Sequence, residues 1–191
     1  MNTKSVICCI DKRYDSLVSQ YYDSIGQTGD YYMITAAGSS LPLSYNRISR
    51  NPEFNCYSYD NCIINRTLRE GELTNFNISK SLSPIQQLDI IDHQDCGAFR
   101  VFLPCADLKT GILTPEEKER EKEVHKISLN YSEDKIKKTN PTFQKPIQKL
   151  LIDLNGTVGR LFDNDIWDIV YVGPGTNPNG LWWSSETECS D

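Results

Sequence analysis

Ser5-Val6-Ile7-Cys8-Cys9-Ile10-Asp11-Lys12-Arg13 is the stretch whose reading decides the fold. Its first six residues are an apolar run too short for a buried helix. A strand covered on both faces, as in a parallel sheet, reads this way. Leu17, Tyr21 and Ile25 follow at helical spacing beside Val18 and Tyr22, and Gly26 and Gly29 end that helix. Tyr31 to Ala37 reads as a second strand closed by Gly38, Leu88 to Ile91 as a third, and Ile166 to Val172 as a fourth. Strands alternating with helices predict an α/β domain. Its central sheet is expected to be mostly parallel, flanked by helices and ordered 2-1-3-4. Leu181-Trp182-Trp183 is placed as an antiparallel edge strand, although the tryptophan pair reads equally as an interface anchor or as closing the core.

Further along, Thr114-Pro115-Glu116-Glu117 is a capping box with proline at the first helical position. The helix it opens, to about Asn130, carries mixed charge and reads as solvated, with His125 on its surface. Residues 147–162 read as another helix, with Ile147, Leu150, Leu151 and Leu154 at helical spacing. Residues 40–78 are rich in Asn, Ser, Tyr and Arg and show little periodicity. They read as an irregular insertion, a lid or an oligomer contact, within one domain spanning 1–191.

With 191 residues and a net charge of −6, the chain has room for a sizeable core and no basic stripe for nucleic acid. No apolar run is long enough to span a membrane. The N-terminus lacks a signal-peptide stretch, so a cytoplasmic location is expected. The seven cysteines are an odd count, read in a reducing compartment as thiols or ligands. For Cys8, Cys56, Cys62, Cys105 and Cys189 the reading is a small buried hydrophobe.

Cys9 and the pair His93 and Cys96 stand apart, because the motif that each belongs to sits at the carboxyl end of an apolar strand. In an open α/β sheet, ligands bind outside those ends where the strand order reverses. Adjacent first and third strands bring Cys9 and His93 together there. Cys96 then falls in the first turn of the next helix, whose N–H groups favour a thiolate. Alternation along the strand selects Cys9 over Cys8 and turns Asp92 away from His93. Two thiols and an imidazole are three zinc ligands that leave a fourth position open, as catalytic sites do. Asp11 and Arg13 sit near that position as a carboxylate held by a guanidinium. Taken singly, each piece has a plainer reading: a core cysteine, a structural histidine, a surface ion pair.

Cys9-x-Asp11-x-Arg13 and His93-x-x-Cys96-Gly97 together resemble the β-class carbonic anhydrases. The likeness extends to Asp95 and Ala98, to Gly29-Asp30 and to Ala37-Gly38, covering about residues 5–40 and 80–102. It implies a zinc lyase that reversibly hydrates carbon dioxide to bicarbonate. Cys9, His93 and Cys96 would hold Zn2+, and Asp11 and Arg13 would serve the zinc-bound hydroxide that attacks CO2. It also implies a homodimer or higher assembly with a small-molecule substrate, while charge and hydropathy lead to the expectation of no nucleic-acid or membrane partner. The chain departs from the family at Thr35-Ala36-Ala37-Gly38-Ser39, at Asp92 before the histidine, and in the short segment before Cys9, where an N-terminal arm is usual. Two alternatives stand beside this reading. One is a carbon disulfide or carbonyl sulfide hydrolase on the same site. The other is a non-catalytic zinc protein whose coordination Asp11 closes.

Overall fold

A computed structural model describes residues 3–174 and Trp183. Among them, six strands form one sheet: β1 (Lys4–Cys9), β2 (Tyr31–Ala36), β3 (Gln87–His93), β4 (Ile147–Ile152), β5 (Val158–Leu161) and β6 (Trp167–Tyr171). The order is β2-β1-β3-β4-β5-β6. Pairings β1/β2, β1/β3 and β3/β4 are parallel, whereas β4/β5 and β5/β6 are antiparallel. The mostly parallel α/β sheet with an antiparallel edge is therefore present.

Alternation along β1 divides the core. Val6 and Cys8 pack with Val18, Tyr21 and Tyr22 of α1 (Asp15–Ser24) on one face. Ile7 faces the other way, with Leu43 of α2 (Ser40–Ile48), Phe76 of α3 (Tyr59–Leu82) and Leu129 of α5 (Pro115–Thr139). Cys9 continues that second side, packing with Leu41, Tyr45 and Phe99 of the short helix α4 (Gly97–Phe102). With helices over both faces, the central strands lose the polar alternation that a half-exposed strand would show.

Several expectations are corrected. Residues 147–162 are not a helix but the strands β4 and β5. Leu150, Leu151 and Ile152 are all buried, because β4 is central and covered on both sides. A continuous apolar run of this kind satisfies helical spacing as readily as strand geometry. The hairpin turn after β4 is built by Asp153, whose Oδ1 accepts from the backbone N–H of Asn155 (2.8 Å) and Thr157 (2.9 Å). Gly156 supplies its positive φ of 83°, so Asn155-Gly156 is a turn signal the helical reading overrode. In consequence the fourth strand in the sheet order is β4. The predicted strand at 166–172 is β6, at the antiparallel edge.

Residues 40–78 are mostly helical, not irregular: they form α2 and most of α3, joined by a non-helical segment at 49–58. The buried face of α3 carries Asn65, Glu72 and Ser79 beside Phe76, so polar core residues hide its period. The helix opened by Thr114 has its capping box, with Thr114 and Glu117 exchanging hydrogen bonds. It runs on to Thr139, however, and is not merely solvated. Val124, His125, Ser128, Leu129, Ser132 and Ile136 form a buried face, and His125, expected at the surface, is fully buried.

Among the cysteines read as small buried hydrophobes, Cys8 and Cys56 are buried, but Cys62 is half-buried and Cys105 is exposed. Cys189 and the expected edge strand at 181–183 lie outside the described residues, apart from Trp183, whose ring meets Trp167 edge-on with centroids 5.6 Å apart. None of the described helices is long and apolar enough to cross a membrane.

Candidate metal centre

Cys9 and His93 are the last residues of the neighbouring parallel strands β1 and β3. Cys96 is the N-cap of α4, three residues on from His93. The two sulfurs and one ring nitrogen of His93 lie within 4.8 Å of one another, and all three residues are buried. The sulfurs are 4.0 Å apart.

Several contacts orient these groups. His93 Nδ1 donates to the Gln94 carbonyl oxygen at 2.8 Å. Its Nε2 is buried with no hydrogen-bond partner. That tautomer leaves the Nε2 lone pair free, the form in which imidazole binds metals. The Tyr14 ring lies against His93 at 4.1 Å, while the Tyr14 hydroxyl donates to the same Gln94 carbonyl at 2.7 Å. Cys9 Sγ accepts from the Gly38 N–H at 3.4 Å. Gly38 has φ of 85°, and a Cβ there would meet Leu41 Cβ at 3.0 Å and Ala98 Cβ at 3.2 Å, so glycine lets the backbone approach the sulfur.

The charge on the sulfurs follows from their surroundings. A hydrogen bond from Cys96 lowers the Cys9 pKa most, and His93 and the Gly38 N–H add to it, against the cost of burial. Cys96 is correspondingly raised by the neighbouring Cys9 and by burial. The expected helix-terminus thiolate at Cys96 thus belongs to Cys9 when the two sulfurs share one proton. Cys8, one residue earlier on the opposite face, is pushed up to about 12, chiefly by burial. For His93, burial opposes the proton, but the neighbouring Cys9 sulfur and its negative charge, with the Gln94 carbonyl, outweigh it and raise the pKa.

Asp11 is outside this group of three. Arg13 Nε reaches both of its carboxylate oxygens at 3.0 Å, and Nη2 reaches Oδ2 at 2.6 Å. The Arg13 hydrogen bonds therefore hold the Asp11 carboxyl below its usual range despite partial burial. An apolar cleft of about 410 Å³ adjoins the pair, lined by Cys9, Ile10, Asp11, Ala37, Ala98 and Phe102 among others.

Residues the sequence reading left without a role complete the arrangement. Asp95 Oδ2 accepts from Arg13 Nη1 at 2.8 Å, and its carbonyl oxygen accepts from Nη2 at 3.1 Å. Its other carboxylate oxygen accepts from Arg100 at 2.5 Å. Asp95 does this from the left-handed region, φ 58°, which Asp tolerates better than most residues. Glu121 of α5 accepts from the Asp95 N–H at 2.6 Å. An Asp two residues after a candidate ligand, followed by Cys-Gly, was the available signal. Asp92 points away from His93 as expected. It accepts from the Ser40 N–H (3.0 Å), the Ser40 hydroxyl (2.6 Å) and His125 Nδ1 (3.0 Å).

The donor set fits a thiophilic divalent ion: two sulfurs, one imidazole with a free lone pair, and a carboxylate occupied elsewhere.

Comparison with known proteins leaves the family open. No family model matches the chain. An uncharacterized protein of Rickettsia conorii is 25% identical over 158 residues, covering 83% of this chain and 71% of that protein. Another uncharacterized protein, from Rickettsia bellii, is 24% identical over 158 residues, covering 83% and 80% respectively. Among solved structures, the β-carbonic anhydrase CcaA aligns over 88% of this chain and 84% of its own, with 13% identity and a TM-score of 0.47. The β-carbonic anhydrase CafA of Aspergillus fumigatus aligns over 84% and 76%, with 13% identity and a TM-score of 0.36.

Proposed function

We propose that this chain is a zinc-dependent carbonic anhydrase of the β-class type. In this reading Cys9, His93 and Cys96 hold the ion, and Asp11 and Arg13 are the catalytic pair. One observation carries the reading: three convergent buried ligands stand beside a carboxylate that a guanidinium keeps occupied. A structural zinc site would more commonly complete itself with a fourth protein ligand.

Zinc, when bound, supplies a Lewis acid that makes water nucleophilic near neutral pH. The protein's part is orientation. Asp11 accepts a hydrogen bond from the attacking water and aims its lone pair at the carbon of CO2. Arg13 engages both Asp11 oxygens, which fixes that acceptor and keeps the carboxylate from swinging onto the metal. Asp95 and Arg100 extend the network behind Arg13. The apolar cleft receives a substrate with few polar handles. Bicarbonate leaves as an anion past the Arg13 side chain, which is about half exposed at 45%.

Stopped-flow measurement of CO2 hydration, on protein assayed for zinc, tests this reading beside Cys96→Ser. Activity that tracks zinc and falls with Cys96→Ser supports it. Fully zinc-loaded protein without hydration activity would reduce the site to a structural one. Activity confined to carbon disulfide or carbonyl sulfide would change the substrate and keep the ligands.

A further inference from the structure

A second cleft shares no lining residue with the group of metal ligands. It has a volume of about 310 Å³ and is walled by α2, α3 and α5. Its floor is Leu43 and Ser44, both buried. Four cationic side chains line it: Arg47 of α2, Arg69 of α3, and Lys135 and Lys138 of α5. The single acid in the lining, Asp134, is taken by Arg47 at 2.6 Å. Arg47 is also stacked on the Tyr131 ring at 3.9 Å, so its guanidinium is fixed in place.

Arg69, Lys135 and Lys138 have no ion-pair partner among the described residues. Three cations without an ion-pair partner, one from α3 and two from α5, gathered in one concavity are unexpected in a chain of net charge −6, where acids are plentiful. Burial chiefly, with the charges of Arg69 and Lys138 adding to it, lowers the pKa of Lys135. A solvated charged face would spread its cations and interleave them with acids, as the exposed pair Arg66–Glu70 does on α3. Nucleic acid needs a basic stripe over an open surface, whereas these cations are gathered into one small cleft.

We propose that this cleft binds a phosphate dianion, either free or as the terminal group of a small phosphate ester. A dianion with several acceptor oxygens can bridge Arg69, Lys135 and Lys138 at once. A monocarboxylate supplies only two oxygens and one charge. The volume exceeds what inorganic phosphate alone fills, which leaves room for an organic group beside Tyr131. The site is separate from the proposed metal centre, and its test does not use CO2 hydration.

The experiment is calorimetric titration and thermal unfolding of the full chain with inorganic phosphate and, separately, a nucleoside monophosphate. Sodium chloride at matched ionic strength is the control. Saturable binding is expected, with a rise in melting temperature that chloride does not reproduce. Arg69→Gln and Lys135→Gln should each weaken it by about tenfold or more, and Arg69→Lys by less. Because Lys135 is repelled by its neighbours, Lys135→Gln should leave the phosphate-free melting temperature unchanged or raised. Tighter binding of the monophosphate assigns the ester as source, and tighter binding of inorganic phosphate assigns the free ion. Equal shifts with phosphate and chloride, variants that bind like the parent, or a destabilised phosphate-free Lys135→Gln protein would each overturn the proposal.

Discussion

His125 Nδ1 donates to Asp92 Oδ2 at 3.0 Å, with both side chains fully buried behind the strand end that presents His93. Asp92 is further held by Ser40, whose hydroxyl lies 2.7 Å from that of Ser128, itself 2.7 Å from Ser44. The network joins β3, α2 and α5. It is expected to be structural, because breaking it strands a buried polar group. His125→Ala should therefore destabilise the protein by about 2–4 kcal/mol. Urea denaturation checks this, and a loss below about 0.5 kcal/mol would remove the network from the account of stability.

Arg13→Ala separates activity from metal content. The variant loses the group that holds Asp11, while the three candidate ligands keep their positions on β1, β3 and α4. Hydration is expected to fall by about a hundredfold or more, with zinc stoichiometry near that of the parent. Parallel loss of zinc would mean that Arg13 supports the ligand cluster rather than positioning the carboxylate.

On the proposed reading, zinc should stabilise the fold, because it would partner the buried His93 Nε2 and both sulfurs. At about a hundred times its Kd, the ion contributes roughly 2.7 kcal/mol by mass action. Unfolding of chelator-treated and zinc-reloaded protein measures the difference. His93→Ala should abolish most of it. A variant that still gains full stability from zinc would place the ion elsewhere.

Glu72 governs a pH dependence. Burial raises its pKa well above the ordinary 4.5, the charge of Asp92 adds to this, and Arg69 opposes it. Both carboxylate oxygens are buried without partners. The native state thus keeps a proton that the unfolded chain releases near 4.5. The stabilisation is complete below that value and declines as pH rises toward the folded pKa. Glu72→Gln should flatten this decline. Denaturant midpoints measured from about pH 5 to about pH 9 give the slope. Parent and variant slopes that coincide would show that Glu72 titrates normally.

Gly38→Ala should destabilise by roughly 1–3 kcal/mol. The positive φ is unfavourable for alanine, and the new methyl meets Leu41 and Ala98. Thermal unfolding reads the loss. A neutral result would mean that the turn before α2 shifts without strain.

The order of the first three strands and the positions of Cys9, His93 and Cys96 were legible from sequence. Each depends on a local signal: an apolar run, a following polar motif, and alternation that separates Cys8 from Cys9. Such signals survive because strand period and strand-end placement are set by a few adjacent residues.

What only the tertiary structure decided was the identity of segments whose residues face the core from every side. Ile147–Ile152 read as helix because a central strand buried on both faces has no alternation left. Residues 40–78 read as irregular because the buried face of α3 carries the polar Asn65 and Glu72 beside Phe76, which hides the helical period. His125 read as exposed because its neighbours on α5 are charged, whereas Asp92 and Phe99, brought from β3 and α4, enclose it. Asp95 is the same case within the site. Its bond to Arg13 spans 82 residues, and a pairing across that separation exists only once the sheet has placed β1 beside β3.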